Sequence, residues 1–153
     1  MTNNDILRRL RYALQVNDSE VMGIFAHINS DVKQSQVVGW LKGEGEDGFV
    51  ALSDPELCSF LDGLIIEKRG PHPSGRPLEP RKDLPNNEIL RKLRIALEFR
   101  EEDMIETFDK VDFVVTKAEL GSFFRKEGHR NYRPCPEQVL RKFIQGLSQG
   151  VEG

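Results

Sequence analysis

"NNDILRRLRYAL" spans residues 3–14, and "NNEILRKLRIAL" repeats it at 86–97. In the first phrase Ile6, Leu7, Leu10, Ala13 and Leu14 fall on one stripe at about 100° per residue, the pattern of an amphipathic helix. Sliding the chain against itself by 83 residues carries the match far beyond the phrase. Residues 3–70 align with 86–153 without a gap, with 18 identities. Phe25 meets Phe108, Val32 meets Val115, the Glu-Gly pair at 44–45 meets the pair at 127–128, and "FLDGL" at 60–64 meets "FIQGL" at 143–147. Register kept over that length indicates an internal duplication. The period exceeds the 20 to 50 residues of solenoid repeats, so each copy reads as a small domain.

Each copy shows four helical patterns. Asn4 is expected to cap the first helix, with Asp5 in its first turn. The second carries Val21, Met22, Ile24, Phe25 and Ile28 behind Asp18 and Ser19 as candidate caps. The third runs from about Lys33 through Val37, Trp40 and Leu41 and stops near "KGEG", where Gly45 suits a left-handed terminator. Its counterpart opens with the capping box "TKAE" at 116–119 and is expected to end at Gly128. The fourth starts at "SDPE", 53–56, and buries Leu57, Phe60, Leu61 and Leu64. No segment alternates as a strand does. The copies, residues 1–70 and 86–153, are joined by a connector at 71–85 that holds five of the eight prolines and is expected to be extended and free of helix. A unit of roughly 68 residues buries only about 60% of the surface its chain exposes and is marginal alone. The expected fold is an all-α tandem duplication whose halves share one core about a pseudo-twofold axis.

The doubled "NN-ILR-LR-AL", the "FL-GL" helix and the proline-rich join resemble the YehS-like family of bacterial proteins, in which a domain of unknown function occurs twice per chain. The resemblance covers nearly all of residues 3–153 and implies a helical, cytosolic protein. It implies no activity, catalytic residue or ligand. The "CP" that recurs in the family before the last helix is present as Cys135 and Pro136, whereas the first copy has Leu52 and Ser53 there.

Composition sets bounds on function. A hydrophobic share of 38% beside 31% charged residues reads as globular. No apolar run reaches the roughly 18 residues of a membrane span, and "MTNNDILRR" lacks the apolar stretch of a secretory signal, so a cytoplasmic location without membrane attachment is expected. Cys58 and Cys135 are too few for a zinc cluster or a disulfide framework. Cys135 precedes a helix start, where a thiol pKa can fall, and is therefore the one candidate nucleophile. His27, His72 and His129 stand at no recognisable catalytic or metal-binding spacing. No enzyme activity, metal or cofactor is expected.

Candidate contacts come from cations. Arg8 and Arg11, duplicated as Arg91 and Arg94, sit away from or at the edge of the apolar stripe and suit an anion or an acidic protein partner. The structural alternative pairs them with duplicated acids such as Glu44 and Glu127. Helices two and three invite comparison with a helix-turn-helix, but His27 and Asp31 break that motif, as do Lys110 and Val114. The segment 125–142 carries six basic and two acidic residues, and Arg125, Lys126, Arg130, Tyr132 and Arg133 are its candidate nucleic-acid contacts. Residues 1–70 hold 7 basic against 11 acidic side chains, which disfavours general phosphate binding there. The leading reading is a protein-binding adaptor or regulator; nucleic-acid binding is the alternative.

Overall fold

The computed structural model describes residues 1–75 and 81–152. Among them are eight α-helices and no strand, four per copy. These are α1 (Asn3–Leu14), α2 (Asp18–Ala26), α3 (Gln34–Leu41) and α4 (Asp54–Arg69), then α5 (Asn86–Leu97), α6 (Glu101–Asp109), α7 (Lys117–Phe123) and α8 (Glu137–Glu152). The chain is an all-α tandem duplication.

Local chemistry sets the helix starts. Thr2, not Asn4, caps α1: its hydroxyl accepts from the Asp5 N–H while the Asp5 carboxylate accepts from the Thr2 N–H. Asn17 caps α2 in the same reciprocal way with Glu20, one residue before the expected Asp18 and Ser19. Ser53 and Glu56 box the start of α4, with Pro55 in its first turn. Left-handed residues recur at equivalent places: Gln15 and Glu98 at φ 54° and 55° cap α1 and α5, while Asn29 and Asp112 at 59° and 53°, and Gly45 and Gly128 at 92° and 94°, lie in the loops; α3 ends at Leu41 with Lys42 as its cap, so Gly45 is not its terminator. α7 ends at Phe123, short of the expected Gly128, which instead turns the loop that follows.

The copies also pack alike. Phe25 meets Phe60 with ring centroids 5.8 Å apart and planes at 51°; the equivalent Phe108 and Phe143 stand at 5.6 Å and 56°. Gly63 lets α4 press onto α2 so closely that a Cβ there would lie 2.1 Å from the Ile24 carbonyl oxygen. Gly146 does the same for α8 on α6, at 2.2 Å from the Thr107 carbonyl oxygen.

Asn4 and Asn87 explain why the phrase begins with asparagines. The buried Asn4 amide donates to the Trp40 and Val50 carbonyls at 2.9 and 2.8 Å and its oxygen accepts from the Leu52 N–H at 2.9 Å. Asn87 repeats this with Phe123, Arg133 and Cys135 at 3.0, 2.8 and 2.8 Å. Each asparagine thus fastens the loop between the third and fourth helices onto the first.

Between copies, α4 packs along α5 and α1 along α8. Exchanging the copies turns one seam into the other, which is the mark of a pseudo-twofold axis. Buried residues of both copies form one continuous core. Within the α4–α5 seam the Asp62 carboxylate, 3% exposed, takes the Lys92 ammonium at 2.5 Å and the Cys58 thiol at 3.6 Å. Residues 71–75 and 81–85 carry no helix; the rest of the expected connector, 76–80, lies outside the described residues. The Leu84 N–H donates to Asp54 at the start of α4, at 3.2 Å.

Candidate functional site

Helix α5 and the loop after α7 bring one of the duplicated arginines, Arg91, together with part of the basic segment. A cleft of about 400 Å³ opens between the start of α5 and the loop that follows α7. Arg81, Glu88 and Arg91 line one wall, and Arg125, Lys126 and Glu127 line the other, with Tyr132 beside them. Four cations against two carboxylates leave it net positive by two. Glu88 stands 3.4 Å from the Arg81 guanidinium and 3.7 Å from that of Arg91, and the exposed Asp83 stands 3.7 Å from Arg81; these are loose pairings, too long for good hydrogen bonds, so among the described residues neither fork is tightly held. Arg91 is 56% exposed.

At the same position in the first copy the arginine is engaged. Arg8 donates to the Lys42 carbonyl at 2.7 Å and pairs with Asp5, and only 33% of it is exposed. The Thr2 backbone N–H, with the Thr2 hydroxyl and Arg8 adding to it, holds the Asp5 carboxyl below the usual carboxylate range. Lys42 sends its ammonium to the Asp47 carbonyl at 2.7 Å. Gly43 and Phe49 stand where the second copy has Lys126 and Tyr132.

Arg11 and Arg94 serve the fold. Arg11 reaches Asp18 at 3.0 Å, and its Nε is buried without a hydrogen-bond partner. Arg94 donates to the Phe99 carbonyl at 3.1 Å and lies over the Phe124 ring, 4.7 Å from its centroid. The acids that hold Arg8 and Arg11 are therefore Asp5 and Asp18, not Glu44 or Glu127. Arg133 donates to the Tyr132 carbonyl at 3.0 Å and lines a separate cleft of about 580 Å³ with Lys117, Glu119 and Arg125. Arg130 is exposed and lines neither. Sequence reasoning missed Arg81, because a single cation in a proline-rich join carries no local signal.

Other expected chemistry does not assemble. Cys135 is buried at 5% exposure, and desolvation pushes its thiol up to about 12, opposite to the expected activation by the helix start. Burial also raises the Cys58 thiol. His27 is an exposed cap on α2 that meets Glu67 at 2.8 Å. Among the described residues no group of three or more His, Cys, Asp or Glu side chains could hold a metal ion. Seven residues, 27–33, separate α2 from α3, against the three or four of a helix-turn-helix turn.

The family described as "Protein of unknown function (DUF1456)" matches residues 3–70 and again 86–153. The chain belongs to the DUF1456 family. Its two DUF1456 segments coincide with α1–α4 and α5–α8. The chain is also 40% identical over 148 residues to "Uncharacterized protein YehS" of Escherichia coli (strain K12), an alignment that takes in 97% of this chain and 95% of that one. No solved structure matches it. Among the described residues of this DUF1456 chain, no helix is long and apolar enough to cross a membrane.

Proposed function

We propose that the chain is a cytoplasmic, non-enzymatic binding protein, an adaptor or regulator whose units 1–70 and 86–153 are joined by the connector 71–85. Its docking face is the basic cleft of the second unit, and the occupant is an acidic segment of a protein partner. The observation that supports this most directly is the contrast between equivalent arginines: Arg8 is taken up by Lys42 and Asp5, whereas Arg91 stands over an open cleft with three further cations. Guanidinium forks suit carboxylates and similar planar anions. Arg91→Glu should abolish capture of the protein partner by the intact chain while leaving its helical circular dichroism unchanged. Capture that survives the substitution would remove the cleft as the docking face.

A nucleic-acid reading draws on one feature of the same cleft, the placement of Tyr132 beside Arg125 and Lys126, since an aromatic ring next to cations can stack a base. It requires binding to single-stranded RNA that weakens steeply with salt. Capture that persists after nuclease treatment favours the protein partner.

A further inference from the structure

The first copy serves as an internal control for the second. Features the fold requires occur twice: the asparagine clamps, the glycine contacts on α2 and α6, the left-handed turns and the paired phenylalanines. Of the four cations of the cleft, Arg91 recurs as Arg8, but the others do not all follow that rule. Arg81 lies in the join and has no counterpart in the first copy, Lys126 is replaced by Gly43, and Tyr132 by Phe49. Arg125 keeps its charge as Lys42, but Lys42 turns its ammonium to the Asp47 carbonyl. The first copy builds the same helices without equivalents of Arg81, Lys126 and the Tyr132 hydroxyl, so the fold does not account for their gathering in the second.

We propose that this cleft binds a phosphate monoester carried on a side chain of the partner protein. This deepens the docking reading above and rests on it. A phosphomonoester brings a charge of about −1.5 to −2 and three acceptor oxygens, which match a cleft that is net positive by two. Arg81 and Arg91, only loosely paired with Glu88 and Asp83, offer guanidinium forks from one wall, and Arg125 and Lys126, which make no ion pair or side-chain hydrogen bond among the described residues, offer donors from the other. A carboxylate would satisfy only part of this set. A volume of about 400 Å³ takes one such group with its side chain. A nucleic-acid strand instead brings a charge at every nucleotide to a molecule of net charge −3, whose first unit is the more acidic.

The test uses the intact chain and three probes: a short peptide with one phosphoserine, the same peptide with glutamate at that position, and a single-stranded oligonucleotide. Binding is read from backbone amide shifts. The phosphoserine peptide should saturate, shift residues 88–91 and 124–132, leave the equivalent 5–8 and 41–49 unmoved, and bind about tenfold or more tighter than the glutamate peptide. The exposed pair Arg125→Gln and Lys126→Gln should weaken it by about tenfold or more. Equal affinity for the two peptides, indifference to the double substitution, or tighter binding of the oligonucleotide would each overturn the proposal. Capture of the protein partner separates this failure from that of the docking reading. Capture still sensitive to Arg91→Glu but indifferent to phosphatase treatment of the partner removes the phosphate alone, whereas capture indifferent to Arg91→Glu removes the docking face itself.

Discussion

A single side chain decides more here than its local spacing suggests. Asn4 looks like a helix cap because it precedes Asp5 and an apolar stripe, yet its three partners belong to residues 36 to 48 positions away. Such long-range hydrogen bonds leave no trace in periodicity, which is why the sequence showed that the asparagines recur but not what they hold. Replacing Asn87 by leucine strands the Phe123 carbonyl and the Cys135 N–H in the interior and frees the partly buried Arg133 carbonyl. The expected cost is about 3 kcal/mol, measurable as a lowered urea midpoint at unchanged m-value. Cys135 gives a second prediction. Its folded pKa, about 12, lies above the ordinary value of 9.0, so the unfolded chain loses this proton first as pH rises. The stability it contributes is complete below pH 9 and declines above it, by about 1.4 kcal/mol per pH unit. Urea titrations of the wild type and of Cys135→Ala between pH 8 and 10.5 should show a shallower decline in the variant.

At the scale of helices, the two seams share their geometry and differ in chemistry. α4 and α5 enclose the Asp62–Lys92 pair, whereas the equivalent positions between α1 and α8 are Gln145 and the exposed Arg9. Removing one member of a buried pair leaves the other charge without compensation, so Lys92→Met should cost about 3 to 5 kcal/mol. Exchanging both, Asp62→Leu with Lys92→Met, should recover most of that loss, and a double-mutant cycle by denaturant unfolding checks the difference. Gly63→Ala should destabilise α4 against α2 by about 1 to 3 kcal/mol, because the approach is set by backbone and no side chain there can yield. The helices themselves were legible from their apolar stripes and capping boxes. The early end of α7 was not: "RKEG" continues a helical composition, and the chain leaves the helix at Phe124 so that the Arg133 N–H can reach the Ser122 carbonyl at 3.1 Å.

For the whole molecule, gapless self-alignment revealed the duplication, and the marginal size of one unit argued for a shared core. The cleft was harder to see because its cations come from three separate stretches, at 81, 91 and 125–126, and because only contacts show that Arg8 is hydrogen-bonded while Arg91 is loosely paired and exposed. Residues 86–153 expressed alone should show reduced helicity and bind hydrophobic dye, and mixing with residues 1–70 should restore the helical signal. The join between the units has a kinetic and thermodynamic meaning of its own. Holding two complementary partners on one polypeptide gives each an effective concentration near the millimolar range, so the intact chain should melt at one temperature however far it is diluted. A chain cleaved between 75 and 81 would become a bimolecular system, with a melting temperature that climbs as more protein is added.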